Sequence, residues 1–354
     1  KIMYHKIELH CHTLASDGDM SPQEIVTRAI ERGYDAIAIS DHNTTAYVSA
    51  VQRVASDLPL VIVPAIEWTT FWGHIVISGG NCDLDWRTIT KENIEKCLEY
   101  ATKCGDIATI AHPRRIGTPL CGGCYDHFDI TDWSNVSAFE VWSNFCPNTY
   151  PTSLAAFDMW QKLLAQGVNL SAVYGYDWHC PDTLDIIPPF AYTFVNCANK
   201  IAQSDKDIFT AQDVLDGIKN HHTYVSMGIE IDCHLSLATT AISRNLNCAT
   251  SKIDCSDTAI ATTTYDIGDT ISQAIYKISI STKVCKDYPA RFCPVIKQLR
   301  IVNTFNSSAI DIKYDGSYCD FELKLSKGLT YFQLEGLFEG QESTLAISSA
   351  WNVV

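Results

Sequence analysis

Hydrophobic and polar positions along the first two thirds of the chain predict strands that alternate with helices. Short apolar runs at residues 7–9, where Glu8 is the one polar residue, and at 36–39 and 60–63 are typical of strands that are buried on both faces. After the first run, Ser21 is a suitable helix N-cap and Pro22 suits the first helical position. Further predicted strands lie at 107–110, 137–141 and 170–173, and further predicted helices at 48–55, 94–104, 154–165 and 214–220. The rhythm predicts an α/β fold with a parallel, helix-covered sheet or barrel.

The pattern changes after about residue 228, where helical periodicity disappears. Apolar and polar residues alternate instead, with Gly, Asp or Asn between the segments, in the stretches 274–280, 295–302, 321–325, 331–337 and 344–347. Alternation with period two predicts an antiparallel β-sandwich. We therefore predict two domains, a barrel at residues 1–230 and a β-sandwich-like accessory domain at residues 231–354. The second domain carries no chemical motif and is interpreted as a packing or oligomerisation module.

Metal-ligand residue types are concentrated where the predicted strands of the first domain end. In a parallel α/β domain the carboxyl ends of the strands meet at one face, so these side chains are expected to converge. His10 and His12, two residues apart on one strand end, point the same way and can share an ion. Histidine and carboxylate clustering of this kind predicts a metal site. The candidate residues are His10, His12, Asp17, Asp41, His42, Glu67, His74, His112, Asp177 and His179.

Composition and charge limit the binding partners and the cellular compartments that are compatible with this chain. The chain has 354 residues, an apolar fraction of 46% and a formal net charge of -15. This charge argues against nucleic acid as a general partner, because phosphate backbones are bound by clustered Lys and Arg. An anionic small-molecule substrate remains compatible with this charge, because bound divalent cations invert the local field.

No stretch is apolar enough to span a bilayer. The 15 scattered cysteines favour mostly reduced thiols, and we expect a cytoplasmic protein.

The donor set indicates which ions and which chemistry to expect. His and carboxylate ligands, with no Cys at a ligand position, suit Zn²⁺, Mn²⁺ or Fe²⁺. Cys11 lies between two ligands on a strand, so it is expected to point into the core. Arg114 and Arg115 follow His112 directly, where either could fork onto a phosphate or remain a solvated loop residue. The Gly- and Cys-rich stretch 117–127 is interpreted as a lid over the site.

Taken in order, these motifs resemble the PHP superfamily, the polymerase and histidinol phosphatase group of metal-dependent hydrolases. The resemblance covers about residues 5–228, and the tail resembles that of the carbaryl-hydrolase-like branch. The matching motifs are His10-x-His12-Thr13 with Ser16-Asp17-Gly18, then Ser40-Asp41-His42, Glu67, His112 and Gly175-x-Asp177-x-His179. The resemblance implies a distorted seven-stranded (β/α) barrel, with the β-sandwich domain following it.

The resemblance also implies two to three divalent transition-metal ions, with Glu67 and Asp177 as the catalytic carboxylates. Asp41 is interpreted as orienting His10 or His12 rather than binding metal, and Glu140 as structural or adjacent to substrate. The implied ligands are His10, His12, Glu67 and Asp177 for one ion, the bridging Glu67 with His74 and His112 for a second, and Asp17, His42 and His179 for a third.

The leading functional hypothesis is a metal-dependent phosphoesterase that hydrolyses a small phosphate ester through a metal-bridged hydroxide. The alternative is a hydrolase of the same fold acting on a carbamate, amide or aryl ester. It is favoured by four tryptophans close to ligands in sequence, namely Trp68, Trp72, Trp142 and Trp178. A third hypothesis is a catalytically inert binding or polymerase-accessory module, against which the full ligand set speaks. The sequence leaves the oligomeric state open.

Overall fold

A computed structural model of the chain describes residues 4–117, 122–181, 188–197, 209–238, 263–292 and 294–354. The first part alternates strands and helices: β1 (Tyr4–Cys11), α1 (Pro22–Glu31), β2 (Ala36–Ile39), α2 (Val48–Ala55), β3 (Val61–Thr69), β4 (His74–Ser78), α3 (Ile94–Lys103), β5 (Ile107–Ile110), β6 (Ala138–Ser143), α4 (Pro151–Ala165), β7 (Ser171–Gly175), β8 (Tyr192–Asn196), α5 (Ala211–Lys219) and β9 (Thr223–Ser226). Within these described ranges no helix has the length and apolar character needed to cross a membrane.

The remainder consists of strands: β10 (Ile229–Leu237), β11 (Thr264–Tyr265), β12 (Thr270–Ile271), β13 (Ala274–Val284), β14 (Val295–Asn303), β15 (Ser308–Lys313), β16 (Cys319–Leu325), β17 (Gly328–Phe338), β18 (Gln341–Ser348) and β19 (Trp351–Val353). The alternating segments predicted in the tail all fall in these strands. A mixed α/β fold followed by a sheet-rich second part is thereby confirmed. The division at residues 230 and 231 stays a prediction.

Helix α1 shows how local sequence sets one of these elements. The hydroxyl of Ser21 accepts from the Glu24 N–H, and the Glu24 carboxylate accepts from the Ser21 N–H, which forms the predicted capping box. Gly33 follows the helix with φ of 73°, a left-handed conformation that glycine adopts without strain. The apolar face, with Ile25 and Ala29 fully buried, packs on the sheet. The start and the end of α1 were therefore predictable from the sequence.

The strands that surround the candidate site form a curled sheet. β1, β2 and β3 pair in parallel, and β5, β6 and β7 do so again. β4 runs antiparallel to both β3 and β5, contrary to the predicted all-parallel rhythm. The reason is the four-residue connection 70–73, which is too short for a parallel crossover. Trp178, just after β7, bridges back to Cys11 of β1, and the His12 N–H donates to the Trp178 carbonyl at 2.9 Å. Closure of a seven-stranded barrel remains a prediction.

The C-terminal strands continue this sheet rather than standing apart from it. β8 pairs antiparallel with β1, β9 with β8, and β18 with β9, where Ala346 lies opposite Ser226. A second sheet has the order β11-β10-β13-β16. Helix α4 packs on the C-terminal part, because the buried Trp160 ring meets Tyr331 of β17 edge-on at 5.2 Å. The indole N–H of Trp160 also donates to the Leu170 carbonyl at 2.9 Å. The two parts of the chain thus share one core.

Replacing Trp160 with Ala should lower the free energy of unfolding by about 3–5 kcal/mol, because it empties a fully buried site between the two parts. Denaturant unfolding of the purified variant measures this. Phe305→Ala is the control, since that ring is 72% exposed and its loss should change stability by no more than about 0.5 kcal/mol. Equal stabilities for the Trp160 variant and the parent would contradict the packing described above.

Candidate metal centre

The predicted ligands come together at one end of the curled sheet. His10 and His12 lie at the end of β1, Glu67 lies in β3, and all three side chains are fully buried. The predicted ligands form four groups, and within each group the candidate ligand atoms all lie within 4.8 Å of one another. The four overlapping groups are His12, Asp17, His42 and His179; His10, His12 and Glu67; His10, His112 and Asp177; and His42, Glu67 and His74. All nine predicted ligands therefore lie in one continuous cluster, and their role as ligands remains a prediction.

The first predicted ligand set has the separations expected of donors around one ion. His10 Nε2 lies 3.3 Å from Glu67 Oε1 and 3.3 Å from Asp177 Oδ1. His12 Nε2 lies 2.9 Å from Asp177 Oδ1 and 3.5 Å from Glu67 Oε2. Zinc–nitrogen and zinc–oxygen bonds of about 2.0–2.2 Å place tetrahedral ligand atoms roughly 3.3–3.5 Å apart. His10, His12 and Glu67 form one group that could hold an ion, and Asp177 lies close to both of these imidazoles.

The second predicted set shares Glu67 with the first. Glu67 Oε1 lies 3.0 Å from His74 Nδ1 and 3.2 Å from His112 Nε2. The same carboxylate is thus close to the first and second sets, as a bridging ligand requires.

The third predicted set is centred on Asp17. Its Oδ1 lies 3.5 Å from His42 Nε2 and 3.2 Å from His179 Nε2. The His12 ring is also near, with Nδ1 at 4.0 Å from Asp17 Oδ1. This set is the most exposed of the three, because the Asp17 side chain is 60% exposed.

Contacts outside the cluster orient several of the imidazoles. His10 Nδ1 lies 2.7 Å from Glu140 Oε1, and His74 Nε2 lies 3.3 Å from the Gly122 carbonyl oxygen. His179 Nδ1 lies 2.9 Å from the Asp177 carbonyl oxygen. When the outer nitrogen of each ring donates its proton to these oxygens, the inner nitrogen keeps a lone pair directed at the cluster. Metal-binding histidines are commonly held in this way.

Glu140, rather than the predicted Asp41, supplies the carboxylate that orients the His10 ring. Its Oε1 contacts the His10 ring, and its Oε2 accepts from the His112 N–H at 2.6 Å. Gly175 makes room for it, since a Cβ at that position would overlap Glu140 Oε1. The sequence signal that could have identified Glu140 was its position in β6, because the neighbouring strands are followed by predicted ligands.

Asp41 has a different role from the predicted one. Its carboxylate accepts from the backbone N–H and hydroxyl of Thr13, both at 2.7 Å, and from the Ser16 hydroxyl at 2.6 Å. These contacts fix the loop between His12 and Asp17 rather than an imidazole ring. The expectation that Asp41 orients His10 or His12 is therefore corrected, because those rings turn towards Glu67 and Asp177.

Buried atoms of the cluster lack the hydrogen bonds that burial ordinarily requires. Within the described ranges, His10 Nε2, both His12 ring nitrogens, Glu67 Oε2 and Asp177 Oδ1 are inaccessible to solvent and make no hydrogen bond of regular geometry, although His12 Nε2 lies 2.9 Å from Asp177 Oδ1 and Glu67 Oε2 lies 2.6 Å from His42 Nδ1. Buried polar atoms of this kind are usually satisfied, so each needs an explanation. Divalent cations at the centre of the cluster would coordinate these atoms. The donor set therefore fits the implied ions.

The charges of the cluster depend on one another. Burial disfavours protonation of His10, but the carboxylates of Glu67, Glu140 and Asp177 outweigh it and raise its pKa well above the ordinary value. Burial would likewise raise the pKa of Glu67, yet the imidazoles of His10 and His74 hold it well below its usual range. The carboxylates thus remain anionic and require nearby positive charge. Metal ions provide such charge by replacing protons on the ligands.

Two of the predicted ligand residues have strained backbones. His112 has φ of 26° and Asp177 has φ of 57°, values that non-glycine residues rarely adopt. Strain of this kind costs about 1–3 kcal/mol per residue and is concentrated at functional sites. It allows the two side chains to leave their strands at angles that regular β-structure would not give.

A cleft of about 420 Å³ opens onto the cluster. Arg115 lines it and forms an ion pair with Asp177. Burial would raise the pKa of Asp177, but Arg115 and the neighbouring imidazoles hold it well below its usual range. Arg114 instead donates to the Tyr125 hydroxyl and stacks on that ring. Of the two arginines proposed for substrate, only Arg115 is thus among the residues that line the cleft.

The tryptophans near the ligands in sequence are mostly core residues. Trp68, Trp142 and Trp178 are each at most 2% exposed, and only Trp72 reaches solvent to a sizeable extent. Cys11 is also buried in the apolar core, as its strand position predicted. Of the predicted lid, residues 118–121 lie outside the described residues, and the function of the stretch stays a prediction.

Comparison with known proteins shows a likeness to one family over part of the chain. The PHP domain family matches residues 8–109. The 5'-3' exoribonuclease Rnm of Salmonella typhimurium is 41% identical over 81 residues, which is 22% of this chain and 28% of that protein. The 3',5'-nucleoside bisphosphate phosphatase of Chromobacterium violaceum is 31% identical over 124 residues, 34% of this chain and 41% of that protein. The chain thus spans about a quarter of the length of the exoribonucleases it matches and less than half of the phosphatase.

The fold extends further than these sequence matches. A two-domain protein from Bacteroides vulgatus, described as containing a predicted PHP-like metal-dependent phosphoesterase, aligns with a TM-score of 0.50 at 14% identity. The alignment covers 99% of this chain and 95% of that one, and it bears on the fold alone. Residues 8–109 thus match the PHP domain family, and the relatives that align with part of this chain are named as an exoribonuclease and a bisphosphate phosphatase.

Proposed function

We propose that this chain is a metal-dependent phosphoesterase that hydrolyses a small phosphate ester. The observation that carries the proposal is the convergence of nine ligand residues, several with buried atoms that lack partners, at the base of an open cleft. The phosphatase and exoribonuclease names of the relatives agree with it. Assignment to the carbaryl-hydrolase-like branch rests on the β-rich tail and stays a prediction.

Two to three divalent ions, Zn²⁺, Mn²⁺ or Fe²⁺, would be held by the three ligand sets described above. When bound, such ions lower the pKa of water and stabilise charge on a phosphoryl group. Glu67 would hold two of the ions at a fixed separation, and Asp177 would complete the first set. Glu140 keeps the Nδ1 proton of His10 and so leaves Nε2 available to a metal.

Arg115 is the side chain that favours phosphate over a neutral substrate. Its Nη1 pairs with Asp177, while its Nη2 is buried without a hydrogen-bond partner among the described residues. A phosphate oxygen would satisfy this donor, and guanidinium groups bind phosphates in a forked geometry. A carbamate, amide or aryl ester would offer one carbonyl oxygen and no negative charge. This alternative is also weakened because Trp68 and Trp178 do not face solvent.

The size of the phosphate ester is part of the proposal. We propose a small-molecule substrate rather than nucleic acid, because the net charge of -15 repels a polyanion. Because two relatives are named as exoribonucleases, the end of an RNA should also be tested as a substrate. A cytoplasmic location also remains a prediction.

Replacing Glu67 with Gln should remove the shared ligand and with it the paired ions. Elemental analysis is expected to show two to three transition-metal ions in the parent and fewer in the variant. Turnover should fall at least several hundred-fold, since metal activation is worth several kcal/mol. Glu99→Gln on the exposed face of α3 is the matched control and should change neither value. Fewer than one ion per parent chain would refute the metal assignment, and near-normal turnover in Glu67→Gln would refute the bridge.

Arginine variants test the substrate class. Arg115→Ala should raise the KM for p-nitrophenyl phosphate roughly tenfold or more, because a hydrogen bond to a charged group contributes about 1.5–3 kcal/mol. Arg114→Ala, the neighbouring control, should have little effect. The same assays include bis-p-nitrophenyl phosphate, a short 5'-phosphorylated RNA and 1-naphthyl carbamate. Turnover of the carbamate alone, without inhibition by phosphate, would replace our proposal by the alternative.

A further inference from the structure

One wall of the metal cleft is built from residues 144–150, which we call the wall segment. It connects β6 to α4, and it brings Asn144 and Tyr150 to the cleft lining. The other lining residues are six predicted metal ligands, Arg115, and the uncharged Ile116, Gly117 and Cys124. The anionic part of an ester would lie at that charged end. The organic group would therefore extend along the remaining surface, to which the wall segment belongs.

The wall segment presents a pair of aromatic rings. The Phe145 and Tyr150 ring centroids lie 5.6 Å apart at an angle of 58°. Phe145 is 42% exposed, although apolar side chains of this size are usually buried. Phe145 is not itself among the lining residues, but its ring contacts Tyr150, which lines the cleft. A planar ring is the group that such a pair accommodates best, in stacked or edge-on contact.

Hydrogen bonds to β7 and to the residues just before β8 hold the start of the segment. The Asn144 N–H donates to the Gly175 carbonyl at 3.0 Å, and the Tyr174 hydroxyl donates to the Asn144 carbonyl at 2.9 Å. The Cys146 N–H donates to the Pro189 carbonyl at 2.7 Å. Asn144 and Cys146 have φ of 64° and 50°, which non-glycine residues rarely adopt. The hydrogen bonds above keep the backbone in this strained conformation.

The C-terminal sheet holds the other end of the segment. Asn148 is 3% exposed, and its Nδ2 donates to the hydroxyl of Ser343 in β18 at 3.0 Å. The Asn148 Oδ1 is buried with no hydrogen-bond partner among the described residues, so the amide depends on Ser343 for its fixed position. The sheet-rich part of the chain therefore contributes to the shape of the cleft, although it supplies none of the nine predicted metal ligands.

We propose that the wall segment determines specificity: its Phe145–Tyr150 pair binds a planar aromatic organic group of the phosphate ester, and Ser343 of the C-terminal sheet holds it in place. This inference rests on the phosphoesterase function proposed above and narrows its substrates to aromatic phosphate esters. Positive charge at the metal end and aromatic rings at the wall together match a ligand with one anionic and one aromatic end.

Two phosphonates with the same head group test the aromatic wall without requiring turnover. Isothermal titration of the Mn²⁺-loaded protein should show phenylphosphonate binding about three- to tenfold more tightly than methylphosphonate. Phe145→Ala and Tyr150→Ala should each bring this ratio towards one, and Tyr150→Phe should preserve it. Phe305→Ala, which removes an exposed ring from the C-terminal part, should leave the ratio unchanged.

Each result has a distinct meaning. Equal affinity of the parent for both phosphonates, or an unchanged ratio in both alanine variants, would overturn the aromatic wall and leave the phosphoesterase proposal intact. Binding of neither phosphonate would refute the phosphoesterase proposal itself, and the wall would fall with it.

Hydrogen exchange tests the role of the C-terminal sheet. In Ser343→Ala the amides of residues 144–150 should exchange about fivefold faster than in the parent, because Asn148 loses its fixed partner. Thr344→Ala is the matched control on the same strand, since its hydroxyl contacts Glu335 instead. Unchanged exchange in Ser343→Ala, or equal acceleration in both variants, would refute the holding role of Ser343.

Discussion

The dense packing of acids and imidazoles in one water-poor cavity is the constraint on which the rest of this structure depends. Glu67 and Asp177 are buried beside His10 and His12, and a buried carboxylate without compensating positive charge is strongly unfavourable. These carboxylates raise the pKa of the His10 imidazole, and the guanidinium of Arg115 supplies part of that charge. Divalent ions would supply it more completely and would also coordinate the atoms that have no hydrogen-bond partner.

Much of the surrounding architecture serves to hold these groups at fixed positions. Glu140 reaches the His10 ring only because Gly175 has no side chain, and the same carboxylate fixes the backbone at His112. Asp41 secures the loop that carries Asp17 by accepting three hydrogen bonds. Such outer contacts limit the rotation of the inner ligands and decide which nitrogen faces a metal. They explain why so many polar groups are buried around the site.

The sheet-rich C-terminal part is joined to this arrangement through continuous packing. β18 extends the sheet at β9, and Tyr331 of β17 packs against Trp160 of α4. α4 begins directly after the wall segment, so this interface is adjacent in the chain to residues that line the cleft. If Ser343 holds the wall segment as proposed, the C-terminal part is more than the packing or oligomerisation module that its lack of motifs suggested. Its sequence shows no such role, because its contribution is positional rather than chemical.

The sequence by itself determined the alternation of strands and helices, the capping of α1 and the identity of the residues that cluster at the strand ends. These features depend on local periodicity, on hydrogen bonds within a few residues, and on the rule that parallel strands end at one face. Only the tertiary structure decided that Glu140 rather than Asp41 orients His10, that Arg115 rather than Arg114 lines the cleft, and that β4 is antiparallel. These outcomes depend on distances between residues far apart in the chain and on strained backbone angles, which no local pattern specifies.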